Sequence, residues 1–354
     1  MNSILRSCGA IAAAAVFCAV TGTALAQDHV LKYGHVGPVG DDSDDHISGL
    51  FLKDYLEGRS QGRIRVDIFP ASQLGNFREM IEQVQLGTLE LTHTTVGGMA
   101  SFFPELQVTD IPYTITDDRL AEEMMVGPFF QEVSDAILAK TGTVRLVATS
   151  NTGRWRSFYT TGAEIRTAAD MAGIKMRTIN SPLQQEFVSF LGGNPTPVAW
   201  GELYTSLGTG VVEGTKNAAL DIVSNKLNDH LRYAVLDEHA FLFGFYWMSD
   251  PWLQGLPADL QDLVIDGVRQ MAVIQTQFNK RLDGAANARF MSEGEGGTIY
   301  VPTREEKATF IPARDHMTKW FTEQFGAEWV DKYTAAIKQA EEKLAAERAA
   351  LLGR

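Results

Sequence analysis

Three side chains in the middle of the chain have the chemistry needed to recognise an organic anion. Arg177 follows the alternating apolar residues Ile174 and Met176, Trp200 follows a proline-rich turn, and Asn217 ends a second short segment that begins at Gly210. A guanidinium can form two parallel hydrogen bonds to a carboxylate, while an amide and an aromatic ring can orient the rest of a small ligand. Open α/β sheets bind ligands at the carboxyl ends of their strands. The pattern therefore predicts an anion-binding site at such an edge.

The order and spacing of these segments resemble a known family, the substrate-binding proteins of tripartite ATP-independent periplasmic (TRAP) transporters, also called DctP-like proteins. The resemblance is carried by Gly173–Thr178, by 192–204 and by 210–217, with further similarity in Phe69–Gly75 and Phe103–Tyr113. It implies a receptor that captures a small organic acid anion in the periplasm and passes it to a membrane permease. It also implies that the protein needs no cofactor.

Two arginines are assigned to the ligand by this resemblance. Arg177 takes the place of the family's arginine that holds the ligand carboxylate. A second arginine lies about twenty residues earlier in the family, and Arg156 matches it if this chain has one extra residue between the two positions. Arg154 is the alternative, because residues two apart on a strand face the same side.

Asn217 and Trp200 are the other two positions that the resemblance places in the second lobe. Asn217 stands where the family has an asparagine that orients the ligand, although Thr215, Lys216 and Ala218 depart from the family pattern. We expect Lys216 to add positive charge near the mouth of the site. Trp200 stands where the family commonly has an aromatic residue against the ligand, but a tryptophan beside a proline-rich turn is as often part of the core.

Three further positions are expected to contribute from the first lobe. They are Val36 in the loop after the first strand, with His35 before it, Asn76 at the start of a helix, and Thr95 after the third strand. Helix N-termini and hydroxyl groups suit the hydroxyl or carbonyl groups of a ligand. Asn76 has a second interpretation, because asparagine directly before an amphipathic helix often serves only as its N-cap.

The sequence contains no motif that supports catalysis. Residues 208–214 resemble a dinucleotide-binding fingerprint, but the spacing has one residue too many and the segment follows a helix. Phosphate loops, Gly-x-Ser-x-Gly and zinc-binding patterns do not occur. We therefore expect a binding protein that is not an enzyme and holds no metal. The alternatives are a receptor of an ATP-driven importer and, from another class, a periplasmic hydrolase or lyase.

The composition and the first residues indicate an exported protein. Residues 1–26 combine a positive charge, a short apolar stretch and the small-residue site Ala24–Ala26, which predicts a signal peptide cleaved after Ala26 and a soluble periplasmic product. Both cysteines, Cys8 and Cys18, lie within that segment. A net charge of −13 argues against nucleic acid and anionic membrane surfaces as partners.

Repeated alternation of strand and helix patterns predicts an α/β fold with mainly parallel sheets. The resemblance implies the two-lobed periplasmic binding protein fold, with hinge strands and a long helix that spans both lobes. The crossover to the second lobe is expected near Arg154, and the return near 239–249. The expected division is 27–153 plus 242–281 for lobe I, 154–241 plus 282–327 for lobe II, and 328–354 for a C-terminal helix.

Two long helices are predicted in the last hundred residues. The first begins near Leu256 and continues to about Glu293, which at 1.5 Å per residue gives ~50 Å. The second covers the end of the chain, and its narrow apolar face predicts packing within the same chain, on the second lobe, in a monomer. Pairing of such tails between copies is the alternative. The ligand is predicted only as a class: a keto or hydroxy acid, a dicarboxylate, a sugar acid or a sulfonate.

Overall fold

The computed structural model describes residues 29–353, so the predicted signal peptide lies outside the described residues. The strands are β1 His29–Gly34, β2 Ile64–Phe69, β3 Leu91–Thr94, β4 Val144–Thr160, β5 Lys175–Thr178, β6 Asn194–Pro197, β7 Gly214–Asn217, β8 Tyr233–Ser249 and β9 Thr298–Tyr300. The α-helices are α1 Asp44–Arg59, α2 Phe77–Leu86, α3 Val96–Met99, α4 Asp118–Val126, α5 Pro128–Thr141, α6 Pro182–Phe190, α7 Leu203–Gly208, α8 Ala219–Ser224, α9 Asp250–Gln254, α10 Ala258–Ser292, α11 Arg304–Ala308, α12 Pro312–Phe325 and α13 Glu328–Leu351. The predicted α/β class is confirmed.

One continuous sheet runs through the molecule in the order β2-β1-β3-β8-β4-β7-β5-β6, with β9 paired to β8. At one end β1 lies parallel to β2 and β3, and at the other end β5 lies parallel to β6 and β7. The long strands β4 and β8, 17 residues each, pair antiparallel through the middle. They connect two α/β halves, as expected of hinge strands, and both are longer than the sequence pattern predicted.

Helix α10 contacts both halves of the molecule. It has 35 residues, or about 52 Å at 1.5 Å per residue, and it begins and ends close to the predicted positions. Near its start, Gly267 leaves room for α1, since a Cβ there would lie 3.0 Å from Leu56. Near its end, the ring of Phe290 packs edge-on to Tyr159 at 5.2 Å. Its polar residues set it apart from a membrane span, and none of the helices within residues 29–353 is long and apolar enough to cross a bilayer.

Side-chain caps fix where several helices begin, as their sequences predict. The Ser181 hydroxyl accepts a hydrogen bond from the Gln184 amide at 3.4 Å, and Pro182 occupies the first position of α6. Thr303 forms a capping box with Glu306 at the start of α11. These caps satisfy amide groups that the first helical turn leaves without partners. The loops that precede the helices are thereby held in place.

The C-terminal helix α13 packs within the chain, mostly on a surface that the sequence analysis did not expect. The Trp329 ring lies edge-on to Phe103 at 5.4 Å, and the Tyr333 ring lies 5.3 Å from Phe129. Both partners belong to the segment assigned to lobe I, and α13 also contacts α4 and α5 there. The helix also contacts α12, in the segment assigned to lobe II, so its packing is not confined to the second lobe as the sequence analysis expected. An apolar stripe identifies the face that is buried, but it does not identify the surface that covers it.

Candidate functional site

A cavity lies between the two halves, where the carboxyl ends of β1, β5 and β7 approach the start of α1. Its lining includes six of the seven residues that the sequence analysis singled out: Val36, Thr95, Arg156, Arg177, Trp200 and Asn217. The seventh, Asn76, does not line this cavity. Side chains from distant parts of the chain thus meet at one point, as the strand-end argument anticipates.

Arg177 is buried at the end of β5 with part of its guanidinium left without a partner. Its Nε donates a hydrogen bond to the Val198 carbonyl at 3.0 Å, and the guanidinium carbon lies 5.5 Å from the centre of the Trp200 ring. One terminal nitrogen, Nη2, is buried without any hydrogen-bond partner. Burial, followed by the positive charge of Arg156, lowers the pKa of Arg177 to about 9. The side chain therefore remains a cation at neutral pH.

The structure separates the two candidates for the second arginine. Arg156 lines the cavity, is 4% exposed, and has its Nη1 atom 4.0 Å from Asp110. Its Nε is buried without a partner. Arg154 instead forms ion pairs with Asp118 and, at 2.6 Å, with Asp283 of α10. Arg156 thus has donor capacity available at the cavity, whereas Arg154 is engaged in links between elements.

Asn217 ends β7 with its carboxamide held by two neighbours. The Thr215 hydroxyl donates to its Oδ1 at 2.7 Å, and its Nδ2 donates to Asp221 Oδ2 at 3.3 Å. The side chain is 7% exposed. A carboxamide fixed in this way can orient a polar group in the cavity without first losing rotational freedom.

Lys216 does not lie near the mouth of the site, and that expectation is wrong. The side chain is not part of the cavity lining, is 3% exposed, and donates to Oε1 of Gln184. Gln184 in turn donates to Asp110, the partner of Arg156. Alternation along β7 explains the difference, because adjacent residues on a strand face opposite sides. Burial, followed by the charge of Arg156, lowers the pKa of Lys216 far below its ordinary value.

The position of Trp200 fits both interpretations of the sequence. It lies in the short 3₁₀ helix Trp200–Glu202 after β6, where it is half-buried, packs against core residues and lines the cavity. Val36 and Thr95 line the cavity from the first half, in the loop after β1 and after β3 respectively.

Asn76 acts as the N-cap of α2, the alternative that its position before an amphipathic helix suggested. Its Oδ1 accepts from the Glu79 amide at 3.1 Å, and its own amide donates to the Glu79 carboxylate at 2.7 Å. It lines a neighbouring cavity, together with Phe77 and Trp200. Phe77, one residue later, lines the main cavity.

Three carboxyl groups in the cavity lining were not anticipated from the sequence. Asp44 and Asp45 begin α1, and Asp221 lies one helical turn after Asn217. Although burial favours its neutral form, the charge and hydrogen bond of His93 hold the pKa of Asp45 below its ordinary value. Burial, followed by the charge of Asp44, raises the pKa of Asp221 to about 8. The Asn217–Asp221 spacing of four residues was the available signal.

The arrangement is suited to binding an anion that also carries polar groups. The arginines supply charged donors, and the amide and hydroxyl groups supply orientation. Within residues 29–353, no group of three or more histidine, cysteine, aspartate or glutamate side chains is arranged to hold a metal ion. The arginine, amide and hydroxyl groups of the lining can recognise a ligand through hydrogen bonds and charge.

Two α/β halves joined by long strands, with a cavity bearing buried cations between them, define the class of two-lobed solute-binding proteins. Residues 34–324 match the family described as bacterial extracellular solute-binding protein, family 7 (DctP), and the chain belongs to this family. The match covers nearly all of the described residues. It is a family of binding proteins, which supports the receptor interpretation over the hydrolase or lyase alternative.

Relatives within this family differ in the ligands for which they are named. The chain is 28% identical over 305 residues to the sialic acid-binding periplasmic protein SiaP of Vibrio cholerae, covering 86% of this chain and 92% of the relative. It is 27% identical over 348 residues to the C4-dicarboxylate-binding periplasmic protein DctP of Rhodobacter capsulatus, covering 93% and 96%. A TRAP periplasmic solute-binding protein from Polaromonas sp. JS666, solved with D-erythronate, superimposes with a TM-score of 0.79 at 27% identity, covering 87% and 98%.

Proposed function

We propose that this protein is the periplasmic receptor of a TRAP-type transporter and that it captures a small organic acid anion. The observation that carries the proposal is the buried guanidinium of Arg177, whose Nη2 has no hydrogen-bond partner within the described structure. A buried cation without a counter-ion is energetically costly. A ligand carboxylate in the cavity would supply both the counter-ion and the missing acceptors.

Each residue of the cavity has a proposed role in holding that anion. Arg177 binds the carboxylate through its terminal nitrogens, because Nε is already occupied by Val198. Arg156 adds a second cation, Asn217 fixes orientation, and Trp200 packs against the carbon chain. Charge-assisted hydrogen bonds contribute ~1.5–3 kcal/mol each, so three of them would supply roughly 5–9 kcal/mol. Micromolar binding corresponds to about 8 kcal/mol.

Lobe closure is proposed to occur about β4 and β8, at the boundaries 153/154 and 241/242. The register of β4 against β8 shifts between Asn151 and Trp155, close to the first proposed boundary. Arg154 has a φ of 72°, the left-handed region that non-glycine residues rarely adopt. Bulges bend strands locally. Since α10 contacts both halves, its bending stiffness would oppose a large hinge rotation.

Export by a signal peptide cleaved after Ala26 is part of the proposal and is supported by the family's extracellular assignment. The mass of the protein recovered from a periplasmic extract tests it directly. A mature chain starting at Gln27 is expected, and an intact N-terminus would contradict cleavage.

A thermal-shift screen of the purified protein over organic acids, followed by calorimetry, tests the binding function. A ligand at 100 times its dissociation constant stabilises the folded state by ~2.7 kcal/mol. Analysis of the same samples for products distinguishes a receptor from a hydrolase or lyase. Transport in vesicles containing the cognate permease, driven by an ion gradient without ATP, distinguishes a TRAP receptor from that of an ATP-driven importer.

A further inference from the structure

A second cavity adjoins the main one and is much larger. It encloses about 430 Å³, against about 60 Å³ for the main cavity. Since one buried water needs roughly 10–15 Å³, the main cavity has room for about four to six non-hydrogen atoms of a ligand. A carboxylate with one or two further groups would fill it. A larger acid has to extend into neighbouring space, and the second cavity, called the outer cavity below, provides that space.

The two cavities share four lining residues, and Arg177 is one of them. The other three are Phe77, Ile179 and Trp200. Arg177 is 3% exposed, its Nη2 has no hydrogen-bond partner within the described residues, and its guanidinium lies beside the Trp200 ring. A carboxylate bound by Arg177 would therefore stand at the junction of the two cavities, and its substituents could occupy both.

The two cavities differ in the chemistry of their walls. The main cavity presents polar side chains such as Asp44, Thr152 and Asn217. The outer cavity has apolar walls that come from both halves of the molecule: Phe77, Ile179, Pro197, Val198, Ala199 and Trp200. A polar group of the ligand thus finds partners in the main cavity, whereas an apolar group is better placed in the outer one.

The charged residues of the outer cavity already have partners within the protein. All three belong to α2. Arg78 pairs with Glu82 at 2.9 Å, and Glu79 forms the capping box with Asn76. These charges are satisfied without a ligand, so they leave the apolar side chains as the surface that a substituent would cover.

We propose that the outer cavity is a subsite for an apolar substituent, and that the preferred ligand is a 2-hydroxy or 2-oxo acid with an aliphatic or aromatic side chain. This inference rests on the proposed function, since the carboxylate is assigned to Arg177. The carboxylate and the oxygen on the second carbon fill the main cavity. The side chain passes between Phe77 and Trp200 and lies against Pro197, Val198 and Ala199.

A series of acids with one head group tests the inference on the mature wild-type protein by calorimetry. L-Lactate, L-2-hydroxybutanoate, L-2-hydroxypentanoate and L-3-phenyllactate differ only in the side chain. Affinity is expected to rise roughly two- to fourfold with each added methylene, and phenyllactate should bind at least about tenfold more tightly than lactate. Equal or weaker binding of the longer acids would overturn the inference.

A matched pair separates apolar contact from chain length alone. D-Gluconate and 2-hydroxyhexanoate have the same number of carbons, but gluconate carries hydroxyl groups along the chain. The apolar acid is expected to bind at least about tenfold more tightly. Tighter binding of gluconate, or binding of other acids from the screen but of none in the series, would refute the apolar subsite and leave the proposed function intact. Absence of binding by every acid tested would contradict the proposed function itself.

A variant that fills the outer cavity provides the second measurement. Ala199 lines the outer cavity but not the main one, so Ala199→Phe should lower the ratio of phenyllactate affinity to lactate affinity at least about tenfold. Ala163→Phe is the matched control, because Ala163 is exposed and lies outside both linings. The control should keep the wild-type ratio. An unchanged or higher ratio in Ala199→Phe, or an equal fall in both variants, would contradict a subsite at this position.

Discussion

Replacing Arg177 by methionine should abolish tight binding without destabilising the unliganded protein. Methionine retains much of the volume of the side chain but removes its charge and its donors. Most residues as well buried as Arg177, at 3% exposed, would lose stability on such a change. The opposite is expected here, because the guanidinium is buried with one terminal nitrogen lacking a partner.

The magnitude follows from the contacts of the side chain. A pKa lowered from 12.5 to about 9 corresponds to roughly 4–5 kcal/mol of penalty on the charged form. Loss of the bond to the Val198 carbonyl costs about 1–3 kcal/mol in the variant. The unfolding free energy of the unliganded protein should therefore rise by about 1–4 kcal/mol. Two charge-assisted bonds to a ligand carboxylate are worth roughly 3–6 kcal/mol, which is a hundredfold or more in affinity.

Calorimetry with the best acid from the thermal-shift screen, combined with melting of the unliganded protein, measures both quantities. Arg154→Met is the matched control, because Arg154 pairs with Asp118 and Asp283 outside the cavity. The control should melt several degrees lower and bind with an affinity close to that of the wild type. Near wild-type binding by Arg177→Met, or a loss of binding in Arg154→Met alone, would refute the assignment of the carboxylate to Arg177.

Three further outcomes are expected. Trp200→Ala should weaken binding about tenfold with a small change in the melting temperature of the unliganded protein; a large fall in melting temperature with unchanged affinity would make it a core residue. Deletion of 328–354 should lower the melting temperature, because Trp329 and Tyr333 cover aromatic residues, while light scattering should give the mass of one chain before and after deletion. Asp221→Asn should flatten the pH dependence of stability. An aspartate with a pKa of about 8 in the folded state makes stability fall as pH rises from about 4 to 8. The melting temperature of the variant should therefore exceed that of the wild type most clearly near pH 8.

Local patterns predicted the helices well, because their signals lie within a few residues of one another. The spacing of apolar residues and the break after Glu293 place the end of α10 almost where the structure has it. The caps at Ser181 and Thr303 require only residues three positions apart. The full lengths of the two strands at the centre of the sheet were harder to predict from the sequence. β4 continues to Thr160 and β8 begins at Tyr233, and these extensions are paired by β7 and β9, which lie far away in sequence.

The cavity residues that the family resemblance names were predicted from the sequence. The carboxyl groups in the lining were missed, because only the three-dimensional structure shows that they lie near the others. Arg177 and Asn217 stand at strand ends, a position that itself indicates a ligand site. Asp44 and Asp221 lie far apart in the sequence, and nothing in either segment shows that they line the same cavity. Their meeting depends on the return of β8 between the halves, which is a property of the topology.

The buried cations of the cavity bear on how a receptor of this kind avoids closing without a ligand. Closing the two halves around Arg177 and Arg156 removes both side chains from water. Without a bound anion, no new interaction offsets the free-energy cost of this desolvation. A bound carboxylate offsets that cost through charge-assisted hydrogen bonds, which form only when both halves surround the ligand. Binding and closure are therefore coupled by the same groups, and the more completely the arginines are buried, the smaller the population of closed empty receptor.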